Sequence, residues 1–206
     1  MALEVEVKFL VADLPTFREQ VIAAGGVLHL PRTFERNIRY DNAWEGLRRQ
    51  DKLLRLRQDT GNVITYKGAA QNSDTTQVKI REEIEINVDS FDNAAAILER
   101  IGFQAVQVYE KYRETFIFGP VELVLDEMPF GNFMELEGEE AEIIAAAQRL
   151  GLDWSQRLTA NYLYLLSLLN THYGLAINDL TFTNFAGQNL HIAEVLGQSS
   201  SYAILD

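Results

Sequence analysis

Apolar and polar positions alternate along most of the first 137 residues, and the polar members are nearly all full charges. In "LEVEVKF", Glu4, Glu6 and Lys8 share one face of a strand of period two, and Val5, Val7 and Phe9 share the other. The design recurs in "LLRLR" (Arg55, Arg57), "VITYKG" (Thr65, Lys67), "EKYRETF" (Lys111, Arg113), "VELVLD" (Glu122, Asp126) and "FMELEG" (Glu135, Glu137). Its longest case is "VKIREEIEINV", where Lys79, Arg81, Glu83, Glu85 and Asn87 face one way. The apolar face opposite them is interrupted by Glu82.

Helices are few and well marked. Asp13 as N-cap with Pro15 behind it predicts a helix to about Ala24, stopped by Gly25 and Gly26. Ser90 caps "FDNAAAILERI", which stops at Gly102, and a third helix covers roughly 139–150. A fourth, "RLTANYLYLLSLLN", is apolar over a broad face and is expected to pack on the main body. "GVLHLPRTF" reads as a connection between helix and strand. The segments beginning "EVEVKF" and "EIEINV" each give an acidic strand, a capped helix, a glycine stop and further strands, so the chain reads as two βαβββ halves.

One strand with a charged face is most simply a solvated strand. Seven such strands with charges of both signs ask for more, because Ser, Thr or Asn would serve a merely wet face. Eight antiparallel strands can close into a barrel, which also removes exposed edges. The expected fold is therefore α+β: a closed eight-stranded antiparallel barrel with helices packed outside and the charged faces turned into the bore. Residues 1–170 would form this domain and residues 171–206 an extension of open role. The tail from Asn178 onward could cover a barrel mouth, join a dimer interface or lie loose.

Composition narrows the chemistry. With 206 residues, 47% apolar and 23% charged, the chain suits a soluble globular protein able to bury a real core. It has no cysteine, which excludes disulfides, thiolate catalysis and cysteine-based zinc sites. No secretory leader or membrane-spanning apolar run is visible, so a cytoplasmic location is expected. A net charge of −12 argues against nucleic-acid and anionic-membrane partners. The basic residues nonetheless crowd into the first 113 positions, with no Lys or Arg after Arg157, so a bound anion belongs in the barrel. His29, His172 and His191 lack ligand spacing, and Tyr162 and Tyr164 read as packing residues.

In the bore, Lys8, Arg55, Arg57, Lys67, Arg81, Lys111 and Arg113 would meet Glu4, Glu6, Glu83, Glu85, Asp126, Glu135 and Glu137. Buried charges persist only when paired or when a ligand or metal compensates them. Several Arg and Lys on different strands suit a polyphosphate. Carboxylates without His or Cys suit the hard cations Mg2+ and Mn2+. Together these are the electrostatic parts of phosphoryl transfer.

The same residues resemble the CYTH family, the triphosphate tunnel metalloenzymes. Glu4, Glu6 and Lys8 match its ExExK signature. In the family's order there follow Arg55 and Arg57, Lys67, the RxExE of Arg81, Glu83 and Glu85, the KxR of Lys111 and Arg113, Asp126, and the ExE of Glu135 and Glu137. The resemblance implies a tunnel that binds a linear triphosphate and requires Mg2+ or Mn2+. It implies metal-side roles for Glu4, Glu6, Asp126, Glu135 and Glu137, and phosphate contacts from Lys8, Arg55, Arg57, Lys67, Arg81, Lys111 and Arg113. Glu4, Glu6, Lys8, Lys67, Lys111 and Arg113 would carry the chemistry, while Glu83 and Glu85 would orient basic residues or help hold a second metal.

The N-terminal half is most similar to the class IV adenylate cyclase branch, which converts ATP to cyclic AMP and pyrophosphate. Its second strand departs from that branch, carrying Glu35, Asn37 and Arg39 at marked positions while keeping Tyr40 and Asp41. No lysine follows Lys111, so the tunnel-closing lysine of some family members is absent or replaced. The alternative reaction is hydrolysis of tripolyphosphate, thiamine triphosphate or a nucleotide, and a non-catalytic polyphosphate-binding module stands behind both. The implied partner is a small-molecule triphosphate, with homodimerisation open.

Overall fold

The computed structural model describes residues 2–71 and 77–198. Eight strands run β1 (Ala2–Val11), β2 (Val27–Asp41), β3 (Leu53–Gln58), β4 (Asn62–Lys67), β5 (Lys79–Asn87), β6 (Gln104–Phe118), β7 (Val121–Met128) and β8 (Gly131–Glu137). They close into a barrel in the order β1-β5-β4-β3-β2-β6-β7-β8, every neighbouring pair antiparallel. Exchanging β1–β4 for β5–β8 maps this ring onto itself, so the repeat read from the sequence is a two-fold relation of the fold. Helix α1 (Leu14–Ala23) follows β1 and α2 (Phe91–Arg100) follows β5, each at the same place in its half. Their caps are equivalent too: Asp13 accepts from Thr16 N and Ser90 from Asn93 N, both at 3.2 Å.

The apolar faces turn outward, and on two flanks they pack against helices, while Ile84 and Ile86 of β5 stay exposed. Val7, Phe9, Leu123, Leu125 and Leu136 pack with Phe17 and Val21 of α1 and with Ile143, Ala147 and Leu150 of α3 (Glu140–Arg149). On the opposite flank, Ile38, Tyr40 and Leu56 pack with Ala94 and Leu98 of α2. The polar face is thereby left to line the bore.

Two features differ from the sequence expectation. Strand β2 starts at Val27, so "GVLHLPRTF" is largely strand. Pro31 is tolerated there because the pairing with β6 shifts register between Leu30 and Thr33, an irregularity that needs no donor from proline. The fourth helix, α4 (Tyr162–Tyr173), begins only at Asn161, whose side chain accepts from Leu163 N and Tyr164 N. The preceding residues run extended: Leu158 exchanges two backbone hydrogen bonds with Lys8, at 2.9 and 2.8 Å. They take the edge of β1 past Glu6, where its ladder with β5 ends at Lys79.

The tail, as far as Gln198, is docked. α4 packs with Leu180, with Phe185 of α5 (Phe182–Phe185) and with Ile192 and Val195 of α6 (Ile192–Gln198). That cluster also takes in Leu10, Tyr109, Met128 and Phe133, which stand at one end of the bore-facing rows, so it plugs that end. Leu180 pairs in parallel with Tyr109, and Ile192 N donates to Phe130 O. A Cβ at Gly131 would lie 2.8 Å from Ile192 Cγ2, so glycine lets α6 seat. Residues 199–206 lie outside the described residues. Among the described residues no helix is long and apolar enough to cross a membrane.

Ile192 is fully buried at this plug. Ile192→Ala is expected to destabilise the protein by about 2–4 kcal/mol, as for other deletions of buried aliphatic groups. Urea denaturation followed by far-UV circular dichroism checks this; a change near zero would mean that the tail unfolds apart from the barrel.

Candidate active site: the charged lumen

Period-two alternation on a closed sheet puts the charged members of every strand inside. Glu4, Glu6, Lys8, Arg55, Arg81, Lys111, Asp126 and Glu135 are all buried, Asp126 completely. Arg57, Lys67, Arg113, Glu83 and Glu137 are half-buried, and Glu85 is exposed at the rim.

The central part of the bore is one ion-pair network. Lys8 Nζ lies 2.7 Å from Glu6 and 3.1 Å from Glu135, and Lys79 Nζ lies 2.9 Å from the other oxygen of Glu6. Arg113 bridges Asp126 at 2.6 Å and Glu135 at 2.7 Å, and Lys111 donates to Asp126 at 3.0 Å. The Tyr162 hydroxyl completes the Asp126 shell, donating at 2.8 Å. Burial alone would raise the Glu6 carboxyl, but Lys8, Lys79 and Lys67 outweigh it and hold Glu6 well below the carboxylate range. Asp126 is likewise held down by Arg113 and Lys111, and Glu135 by Lys8 and Arg113, each against its burial. Lys8 is held above its usual range because Glu135 and Glu6 overcome its desolvation.

Two smaller groups flank this network. Arg55 donates to Tyr109 Oη at 3.0 Å and to Thr65 Oγ1 at 2.9 Å, and pairs with Glu85 at 3.3 Å. Lys67 lies 2.5 Å from Glu4 and 3.2 Å from Glu83. Two predicted phosphate contacts are engaged at the periphery instead. Arg57 pairs with Asp59 at 3.0 Å; Arg81 donates to Gly68 O at 2.8 Å and pairs with Asp51 at 3.2 Å.

At the end away from the plug the balance reverses. A cavity of about 240 Å³ is lined by Leu3, Glu4, Glu83, Glu85 and Glu137. Burial, reinforced by Glu4, Glu122 and Glu83 and opposed only by Lys67, pushes the Glu137 carboxyl up to about 7. Glu4 Oε2 is buried without a hydrogen-bond partner. Surplus carboxylate at a partly buried site with only oxygen donors fits a hard divalent cation, which would supply the missing positive charge. Among the described residues no three acidic side chains already converge in metal-ligand geometry, because Glu6, Asp126 and Glu135 are drawn to cations. The carboxylates expected to act together are thus divided between the acidic end and the central network.

Several lumen residues fall outside the candidate set. Glu35, Asn37 and Thr65 are buried in the bore, and Lys79 joins Glu6. Alternation already puts Lys79 and Thr65 on the charged faces, and along "ERNIRYD" it reaches Glu35 and Asn37 as well. Tyr162 carried no such signal: its ring packs edge-on against Phe133, with centroids 5.0 Å apart, while its hydroxyl enters the network. It is a packing residue with a polar end, brought in by the plug.

A closed eight-stranded barrel with helices outside and cations and carboxylates facing each other within is the architecture of the triphosphate tunnel proteins. The CYTH domain family matches residues 2–158, and the chain belongs to that family. A Methanocaldococcus jannaschii protein named as a candidate adenylate cyclase is 29% identical over 143 residues, covering 68% of this chain and 79% of that protein. Among solved structures, a candidate adenylate cyclase from Vibrio parahaemolyticus superposes with a TM-score of 0.69 at 24% identity, covering 80% of this chain and 98% of that one. A candidate adenylyl cyclase from Hippeastrum, described as having a dominant triphosphatase activity, gives 0.58 at 16% identity, covering 86% and 98%. At these identities the two structures share the fold.

Removing Asp126 would leave Lys111 and Arg113 without their shared buried partner. Asp126→Ala is therefore expected to cost about 3–5 kcal/mol in chemical denaturation, the scale for breaking a buried ion pair. Glu137 gives the opposite sign. Its folded-state pKa lies above its unfolded value, so stability is lost as pH rises through about 7. In chelator-treated protein, Glu137→Gln should raise the urea midpoint near pH 8 and do so much less near pH 5. An equal shift at both values would show that the carboxyl is not held up by its neighbours.

Proposed function

We propose that this protein is a divalent-metal-dependent phosphoryl-transfer enzyme that binds a triphosphate in the barrel lumen and acts as a class IV-like adenylate cyclase, converting ATP to cyclic AMP and pyrophosphate. The observation that carries the reading is the convergence of Lys8, Lys79, Lys111, Arg55 and Arg113 on one buried bore. Such a concentration of cations, part-balanced by carboxylates, suits a linear polyanion. Lys8, Arg55, Lys67, Lys111 and Arg113 would grip phosphate oxygens, with Arg57 and Arg81 turning inward from Asp59 and Asp51. Glu4 and Glu137, with Glu6, Asp126 and Glu135, would hold Mg2+ or Mn2+. Held there, such a cation would supply Lewis-acid polarisation of the phosphate oxygens.

In the cyclase reaction the ribose 3′-oxygen bonds to the α-phosphorus, the bond from that phosphorus to the α–β bridging oxygen breaks, and pyrophosphate leaves with the electron pair. The 3′-hydroxyl proton passes to a base in the lumen. Support for cyclisation comes from the Methanocaldococcus relative and from the branch resemblance of the N-terminal half. The cavity beside Glu4, Glu83, Glu85 and Glu137 favours a second reading, hydrolysis of tripolyphosphate, thiamine triphosphate or a nucleotide. It offers room for an attacking water next to the proposed metal carboxylates. The Hippeastrum neighbour, of the same fold, is described with both names.

Incubation with ATP and, separately, tripolyphosphate, each with Mg2+ or Mn2+, tests the proposal when products are resolved by chromatography. Cyclic AMP with pyrophosphate is the expected outcome. Orthophosphate alone would transfer the assignment to a triphosphatase, and no product from either would leave a binding module. Lys111→Ala should lower kcat/KM by roughly a hundredfold or more, the loss of a buried charge-assisted contact. Unchanged turnover in that variant would remove the lumen from the reaction.

A further inference from the structure

A group of buried polar atoms on β2 and β3 lacks hydrogen-bond partners, although Glu35 stands in long ion pairs with Lys111 and Arg113. Asn37 is completely buried, yet neither its Oδ1 nor its Nδ2 has a hydrogen-bond partner. Two residues away on the same face, buried Glu35 has an unpartnered Oε2, with Lys111 Nζ 3.6 Å distant, beyond a hydrogen bond. Arg55 Nε is also unsatisfied, and Arg57 Nε lies near Asp59 but off the hydrogen-bond line. Strand register gathers them: Asn37 stands opposite Arg57 on one side and Tyr109 on the other, and Glu35 stands opposite Lys111. Buried polar groups are almost always paired, so unpaired ones clustered on one wall mark where a ligand belongs.

Their chemistry says which kind. Phosphate oxygens accept hydrogen bonds, so they suit Arg55, Arg57 and the Asn37 amide nitrogen. They cannot pair with Asn37 Oδ1 or with the Glu35 carboxylate, which only accept. Burial would raise Glu35, but Lys111, Arg113, Arg57 and Arg55 bring it down to about 2, so it is ionised at any working pH. A bare phosphate chain offers neither acceptor a hydrogen-bond donor.

We propose that Glu35 and Asn37 are specificity-determining residues that recognise the non-phosphate part of an organic triphosphate, one offering hydrogen-bond donors and acceptors together, as a nucleoside does. This inference rests on reading the lumen as a triphosphate site. An amide presents donor and acceptor side by side, the pairing by which Asn recognises an adenine edge. A site built to hydrogen-bond such a group discriminates strongly against ligands that lack it, because its own polar atoms then stay unpaired.

Calorimetric titration with ATP, methyl triphosphate and tripolyphosphate in Mg2+ tests it. ATP and methyl triphosphate carry the same phosphate chain, but the methyl group has no donor. In the unmodified protein ATP is expected to bind about tenfold or more tightly than methyl triphosphate, on the scale of one or two hydrogen bonds. In Asn37→Leu, and separately in Glu35→Gln, that ratio should fall several-fold towards unity. Equal affinities in the unmodified protein, or a ratio untouched by both variants, overturns the proposal while leaving the triphosphate site standing. If no triphosphate binds at all, the underlying reading fails and this one with it.

Discussion

A closed barrel whose inner wall is charged has to balance those charges internally, and the rest of the structure follows from that. Each bore-facing Lys or Arg loses its hydration, so it needs a carboxylate within reach or a ligand to replace it. Lys8 between Glu6 and Glu135, and Asp126 between Lys111, Arg113 and Tyr162, meet the first condition. Closure makes this feasible because cross-strand neighbours on a curved wall converge on the axis. On a flat sheet the same residues would stand apart in water.

Inverting the usual arrangement, with charge inside and apolar side chains outside, obliges the helices to act as an outer skin. α1 and α3 cover one flank and α2 the other, and the two-fold relation of the halves explains why α1 and α2 occupy equivalent places. The C-terminal helices do something the repeat does not: they plug one end with an apolar cluster and send a single hydroxyl, that of Tyr162, into the ionic network. The two ends of the bore therefore differ, one dry and apolar, the other acidic and lined by Glu4, Glu83, Glu85 and Glu137.

That asymmetry gives the family assignment its physical content. Membership of the CYTH family accounts for the strand signatures and the barrel. Beyond those signatures stand the second strand, where Glu35 and Asn37 are buried with unpaired atoms, and the contact of Tyr162 with Asp126. Both face the same bore, where a ligand would be read.

Alternation of period two was sufficient to read most strands and which of their faces is charged, because a one-residue slip would reverse every side chain at once. Closure rested on the number of strands, and the first part of β2, with Pro31 and no charge alternation, reads as a connection. Asp13, Ser90 and the glycine stops marked the helices for the same reason: capping is local chemistry. Partnership was not legible. Nothing in the spacing of Glu6 says that it holds Lys8 and Lys79 while Glu4 takes Lys67, since those choices depend on the stagger between strands far apart in the chain. The late start of α4 was hidden likewise, because Leu158 follows the vacant edge of β1 rather than its own helix propensity. The sequence by itself determined which faces are charged and that they meet; only the tertiary structure decided which charges neutralise each other, which are left over, and which end of the barrel is open to a ligand. The reason is that alternation is written residue by residue along each strand, while ion pairs and plugs depend on distances across the closed ring.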